Sequence, residues 1–187
     1  MENARPGARC RIFICDNQRL YSFFAFLTRR SSNSMAIGFS LLGNVYINEP
    51  KVRRMAAQNY GSIRYSRFEG NYAEVIAHEI AHFNVVKQLG FRRAIGMPFW
   101  KSAGYAEYQA NPATTRKDST YAFTDRIDLL LNNTFWGSNH SVAQRLFEWH
   151  VLVEFLAEVK GFDLEDLVDE DVTEWSTRKE MLGWYQE

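Results

Sequence analysis

The stretch NYAEVIAHEIAHFNVVKQLG, residues 71–90, carries the clearest secondary-structure signal in the chain. Asn71 is a typical N-cap residue, and Glu74 stands three positions later, as it does in a capping box. Gly90 is typical of the position just after the last helical residue. The pattern therefore predicts a helix over about residues 72–89.

Two histidines four positions apart lie on this predicted helix. The side chains of His78 and His82 would project from the same face, one turn apart. Two imidazoles so placed can both reach one zinc ion at roughly 2.0–2.1 Å. Glu79 stands beside the first histidine, where it would contact a metal-bound water instead of acting as a ligand. This is the H-E-x-x-H arrangement.

The chemistry of such a site explains the residue types. Zinc lowers the pKa of a bound water towards roughly 7. Glu79 would take the proton as the resulting hydroxide attacks a carbonyl carbon, and would then pass it to the leaving amine. The motif therefore predicts a zinc-dependent hydrolase of peptide bonds, with Zn²⁺ as cofactor and a peptide or protein as substrate. The competing interpretation is a core helix with two incidental histidines.

The third ligand separates two classes of zinc site. A three-histidine site would need glycine at position 85 and histidine at position 88. The chain has Val85 and Gln88, so that class is excluded. The alternative is a glutamate from a later helix, which gives two histidines and one carboxylate.

The segment MPFWKSAGYAEY, residues 97–108, resembles the gluzincin metallopeptidases. The most similar group is the small bacterial peptidase domains in which Trp-x-x-Glu-Gly-x-Ala-Glu-Tyr follows the first histidine helix. The resemblance covers residues 70–110, and the later helices resemble that group only loosely. It implies a zincin-like fold, a zinc cofactor and peptidase activity.

One position departs from the pattern of that family. The glutamate before the glycine is the family's third zinc ligand, and this chain has Ala103 there. Glu107 matches a second family acid, which supports a ligand histidine in relatives. Either Glu107 has become the third ligand, or the site is naturally weakened, or Ala103 is an engineered replacement of a parental glutamate. The functional alternative is a catalytically disabled binding or regulatory protein on a peptidase fold.

Shorter elements surround the histidine helix. Residues 10–15 read as a strand, and residues 17–30 read as a helix with Leu20, Phe23, Phe24 and Leu27 on its core face. Further elements are two strands at Met35–Phe39 and Asn44–Asn48 joined through Gly43, helices at 102–110, 122–131 and 142–160, and two C-terminal helices capped by Asp163 and Asp171.

The order of these elements predicts an α+β fold. A small N-terminal sheet precedes the active-site helix, and the C-terminal half is mostly helical. The length of 187 residues fits one domain over residues 1–187.

Several residues are secondary candidates for the site. Tyr105, Tyr121 and His140 are possible donors to a transition-state oxyanion, although each residue type is more often structural. Asn44–Asn48 is the candidate edge strand to which a peptide substrate would add, and the alternative is an ordinary paired strand inside the sheet. His150 lies in an apolar helix and is expected to be a core histidine.

Charge and composition narrow the partners. The chain has 22 basic and 22 acidic residues, so the basic surface that nucleic-acid binding needs is not expected. No run approaches the roughly 20 apolar residues that span a bilayer, and residues 1–7 lack the apolar core of a signal peptide. The expected location is cytoplasmic or otherwise soluble. An exported or anchored parent protein and the oligomeric state stay open.

Cys10 and Cys15 are the only cysteines in the chain. Residues five apart on a strand lie roughly 16 Å apart, which is too far for a disulfide. The sequence therefore predicts two free thiols, as in a reducing compartment.

Overall fold

The computed structural model describes residues 10–27, 31–39, 43–58, 72–110, 122–132 and 142–186. The chain divides into two compact units, Met1–Phe83 and Asn84–Glu187. The first unit contains a small sheet, and the described elements that lie wholly in the second unit are helices. The α+β prediction is therefore confirmed, while the single domain over residues 1–187 stays a prediction.

Three strands form the sheet of the first unit: β1 (Arg11–Cys15), β2 (Ala36–Phe39) and β3 (Asn44–Asn48). Their spatial order is β1-β3-β2, with β1 parallel and β2 antiparallel to β3. All five residues of β3 are buried. Strands with apolar residues on both faces are typical of a sheet interior. The prediction that Asn44–Asn48 is an edge strand was wrong, because β3 lies between the other two strands.

Helix α1 (Gln18–Leu27) packs on one face of this sheet. Its buried residues are Tyr21 and Ala25, which contact Ile37 and Tyr46. The predicted core face was largely wrong, because three of its four members are exposed: Leu20, Phe23 and Leu27. Apolar residues follow each other almost without a break in this helix, so their spacing does not single out one face. The small Ala25 side chain permits close approach to the sheet.

The opposite face of the sheet is covered by α2 (Glu49–Gln58) and the first turns of α3 (Tyr72–Leu89). The sequence did not predict α2. Half of its residues are polar, and residues 50–70 show no clear period in the sequence; among the side chains described in this helix, Val52 is buried. Pro50 fits the first turn of a helix, where no backbone N–H is needed.

Helix α3 has the predicted bounds and ends at Gly90. This glycine has a φ of 79°, which residues with a side chain rarely adopt. A short helix, α4 (Phe91–Gly96), begins at once where a loop was expected. The predicted cap at Asn71 lies outside the described residues.

The second unit is built from α5 (Phe99–Ala110), α6 (Phe123–Asn132), α7 (Val142–Glu154), α8 (Leu164–Asp169) and α9 (Glu174–Tyr185). Helix α7 continues as a π-helical turn over Phe155–Val159. Helices α5 and α7 cross closely at Gly104, where a Cβ would overlap the Trp149 carbonyl oxygen. The core of this unit therefore lies around α5, α7 and its π-helical turn, which together contribute more than half of its buried apolar residues.

One of the two predicted C-terminal caps is confirmed. Asp163 accepts hydrogen bonds from two backbone N–H groups and forms a capping box with Asp166 at the start of α8. The prediction for Asp171 was wrong, because α9 is capped by Thr173, which forms a capping box with Ser176. The hydroxyls of this later pair satisfy the first backbone donors of the helix.

The predictions about the cysteines and about membrane-spanning segments can both be compared with the structure. Cys10 is exposed and Cys15 is buried, and both are free thiols, as predicted. Among the described ranges, none of the helices is long and apolar enough to cross a membrane.

Candidate metal centre

The first turns of α3 are anchored to the sheet. Val75, Ile76 and Phe83 pack against the apolar cluster that contains Val45 and Ile47 of β3. The three motif residues of the same turns, His78, Glu79 and His82, are half-buried. Because the anchoring residues bracket the motif on both sides, the sheet determines where the helix presents it.

The two histidines of the motif converge. The Nε2 atom of His78 lies 3.2 Å from the Nε2 atom of His82. The ring centroids are 4.8 Å apart, and the planes cross at 78°. The helical spacing therefore directs one nitrogen of each ring to a common point.

This distance fits a shared zinc ion. With Zn–N bonds of roughly 2.0–2.1 Å and tetrahedral angles, two ligand nitrogens lie roughly 3.3–3.4 Å apart. The observed 3.2 Å is close to this value. It also suits an N–H···N hydrogen bond between two neutral rings, in which one ring donates. His78 and His82 would thus supply two of the ligands of a metal that prefers imidazole.

Glu107, the predicted third ligand or supporting acid, lies on α5 in the second unit and is 6% exposed. Ala103 lies one turn earlier and belongs to the apolar core of that unit. Within the described ranges, no group of three or more His, Cys, Asp or Glu side chains is placed to hold a metal ion. The structure brings together His78, Glu79 and His82, and the role of Glu107 stays a prediction.

The Glu79 carboxylate lies against strand β2. A Cβ built on Gly38 would be 2.6 Å from Oε2 of Glu79, closer than real Cβ atoms approach other heavy atoms. The same Cβ would be 3.7 Å from Cζ of Phe83. The absence of a side chain at position 38 therefore leaves the space that the carboxylate occupies.

The buried phenol of Tyr21 has a pKa that responds to the charge of Glu79. Tyr21 is fully buried, and its hydroxyl shares a 2.5 Å hydrogen bond with Oγ of Ser34. Burial raises the pKa of Tyr21, the negative charge of Glu79 raises it further, and the bond to Ser34 opposes both. Tyr21 is therefore protonated at neutral pH, and Glu79 acts on it as a nearby anion.

The sequence held a signal for Gly38 but not for Tyr21. A glycine inside a strand often marks a close approach by another group, and Gly38 is such a glycine. Tyr21 had no comparable signal, because it stands in a helix rich in aromatic residues.

The predicted oxyanion donors are not tested by this arrangement. Tyr105 lies on α5 and packs against the core of the second unit. Burial raises the pKa of Tyr105, and the charge of Asp163 adds to this shift. Tyr121 and His140 lie outside the described residues. The oxyanion role of all three stays a prediction.

A second polar cluster lies in the helical unit. His150 is buried, with Nε2 at 3.5 Å from Oε2 of Glu154, so its interpretation as a core histidine is confirmed. Arg126 donates through Nε to Oε2 of Glu154 at 2.9 Å and through Nη2 to Oε1. Burial raises the pKa of Glu154, but the bonds and charges of His150 and Arg126 outweigh it and hold the pKa below its ordinary value.

Comparison of the chain with protein-family models, with curated proteins and with solved structures gives no match.

Proposed function

We propose that this chain is a zinc-dependent hydrolase of peptide bonds with a zincin-like fold. The observation that carries the proposal is the convergence of His78 and His82, whose Nε2 atoms lie 3.2 Å apart, on the helix that also bears Glu79. The gluzincin resemblance of residues 70–110 supports the same reaction.

Each residue of the proposed site would have its own role in the hydrolysis of a peptide bond. His78 and His82 would hold the zinc ion, with Glu107 as third ligand or as support for a ligand histidine. Zinc would supply Lewis acidity, which makes a water molecule acidic and polarises the substrate carbonyl. Glu79 would accept the proton of the attacking water at its carboxylate and then donate it to the nitrogen of the leaving amine.

Strand β2 offers a place for an extended peptide. The backbone N–H of Asn48 donates to the Met35 carbonyl at 2.8 Å, so residues 35 and 48 form a hydrogen-bonded pair. Because such pairs alternate in antiparallel sheets, the N–H and C=O of Gly38 point away from β3. In the part of the chain that the structure describes, β2 pairs with β3 alone. A peptide added to β2 would thus bond to Gly38 beside Glu79.

The test is hydrolysis of a defined mixture of synthetic peptides, with cleavage products read by mass spectrometry. The protein is stripped with chelator and reloaded with one equivalent of zinc. Glu79→Gln keeps the size of the side chain but removes the base, so the rate should fall by roughly 10²–10⁴-fold. The control is Glu165→Gln, a side chain that is 71% exposed, which should leave the rate unchanged. Equal rates for wild type and Glu79→Gln would refute the proposal.

The alternative function is a disabled peptidase fold that binds or regulates a partner. The observation that favours it is Ala103, which stands where the family has its carboxylate ligand and is 1% exposed. Zinc per chain, measured by elemental mass spectrometry, separates the two functions. Near one zinc per chain supports the hydrolase, and little or no zinc supports the disabled fold. In the second case Ala103→Glu should restore zinc, which would identify position 103 as the missing ligand.

A further inference from the structure

We infer that Gly38 is a positioning residue for Glu79: the missing side chain on β2 fixes where the carboxylate stands. The catalytic part of this inference rests on the proposed hydrolase function. The steric part rests on the geometry of the first unit alone.

The pleat of the sheet explains why Gly38 faces Glu79. Gly38 pairs with Val45 and Ala36 with Ile47, and both of these partners belong to the cluster that α3 covers. Since successive strand residues point to opposite faces, position 38 looks towards α3. A side chain at position 38 would enter the space between β2 and that helix.

The atom that would be displaced is the reactive end of Glu79. A Cβ at position 38 would be 2.6 Å from Oε2 but 3.7 Å from Cδ of the same residue. The carboxylate is the far end of a flexible side chain, so it would move before the strand or the helix does. Gly38→Ala is therefore expected to leave the fold intact and to shift the carboxylate.

The strand itself does not favour a glycine at position 38. Glycine inside a strand costs roughly 0.5–1 kcal/mol relative to alanine and has no side chain to pack. Position 38 therefore carries a residue that is locally unfavourable, and the close approach of Glu79 supplies the reason.

A general base must lie within roughly 2.6–3.2 Å of the proton that it takes. A displacement of about 1 Å in a catalytic group can cost about 100-fold in rate. Gly38→Ala should thus lower kcat by about 100-fold while KM changes less than about threefold. The zinc affinity should stay within about twofold, because His78 and His82 are not touched.

A second variant shows whether the effect passes through Glu79. Glu79→Asp shortens the side chain and withdraws it from a methyl group at position 38. In the Gly38→Ala background, Glu79→Asp should therefore cost less activity than it costs in the wild type. Losses that simply multiply, or a Gly38→Ala variant with wild-type kcat, would overturn the catalytic role.

A stability measurement on metal-free protein tests the steric part of the inference and needs no activity assay. In chelated protein, Gly38→Val should lower Tm by roughly 2–4 °C more in the wild type than in a Glu79→Ala background. Gly183→Ala is the control, because a Cβ there meets nothing within 4 Å, and its effect should be equal in both backgrounds. Equal shifts for Gly38→Val would overturn the inference. If the wild type hydrolyses no peptide but Gly38→Val still lowers Tm more in the wild type than in the Glu79→Ala background, the proposed function is refuted. The steric part of the inference is then still supported.

Discussion

Two pairs of polar residues in this molecule have the same helical spacing but different surroundings. His78 and His82 on α3 are half-buried, and each directs Nε2 at the other. His150 and Glu154 on α7 are 4% and 3% exposed, and a guanidinium from another helix binds the carboxylate through two N–H groups. Spacing alone therefore does not distinguish a proposed ligand pair from a core pair.

The difference lies in what balances the charge. Arg126 donates to both oxygens of Glu154, and His150 lies 3.5 Å from one of them, so side chains of the chain itself surround this carboxylate. The two imidazole nitrogens that face each other at 3.2 Å are both potential electron-pair donors, so a proton or a metal ion must lie between them. The charge of Glu154 is thus balanced within the protein, whereas two facing imidazoles share either a proton, in a hydrogen bond, or a metal ion.

The largest effect is expected on the α7 pair. Glu154→Gln leaves the buried charge of Arg126 without its counterion, which should lower the free energy of unfolding by roughly 3–5 kcal/mol. Glu79→Gln should change it by less than about 1 kcal/mol, because this carboxylate is half-buried. Urea denaturation of both variants is the measurement. Similar losses in the two variants would remove the distinction between the pairs.

A double substitution sharpens the same contrast. Replacing both Arg126 and Glu154 by methionine removes the two charges together and should restore most of the stability. A double variant as unstable as Glu154→Gln would mean that packing, and not charge pairing, accounts for the contribution of this cluster to the free energy of unfolding.

The second effect concerns zinc. At a free zinc concentration of 100 times Kd, binding to the folded state should raise the free energy of unfolding by about 2.7 kcal/mol. The double variant His78→Ala/His82→Ala should lose this gain, while Glu154→Gln should keep it despite its lower stability. Thermal denaturation with and without zinc measures both. A zinc effect that depends on Glu154 and not on His78 and His82 would place the metal site on α7 instead of α3 and would contradict the proposal.

The smallest effect is a dependence on pH. The folded-state pKa of Glu154 lies below its ordinary value of 4.5, so its stabilising contribution is present above that pH. It is lost as the pH falls from there through the folded-state pKa, with a slope of at most about 1.4 kcal/mol per pH unit. The difference in unfolding free energy between wild type and Glu154→Gln should therefore narrow below pH 4.5. A constant difference between pH 3 and pH 7 would contradict the charge pairing.

Local signals in the sequence were sufficient for some elements and not for others. Helix α3 was predicted with its bounds, because the glycine that ends it and its apolar positions agree. Helix α2 was missed because residues 50–70 are polar and mixed, with no clear period. The central position of β3 depends on a parallel pairing with β1 across more than 30 residues, which no local pattern reveals.

The same division applies to the candidate site. The convergence of His78 and His82 follows from helical geometry, so a spacing of four positions on one helix was enough to expect it. The approach of Gly38 to Glu79, and of Arg126 to Glu154 across 28 residues, depends on how separate elements pack. Local spacing therefore predicts the convergence of the two histidines but not the groups that other elements bring to the motif.

Gly38 on β2 also has a consequence for which substitutions this protein can accept during evolution. Mutation at position 38 to alanine or a larger residue would remove an unfavourable strand residue, so a lineage that no longer needs the Glu79 carboxylate in place has no reason to keep Gly38. A lineage that uses the carboxylate must keep it. The identity of residue 38 should therefore indicate whether a homologue still uses the Glu79 carboxylate. In homologues that have lost the proposed reaction, we expect residue 38 to vary while α3 is still a helix.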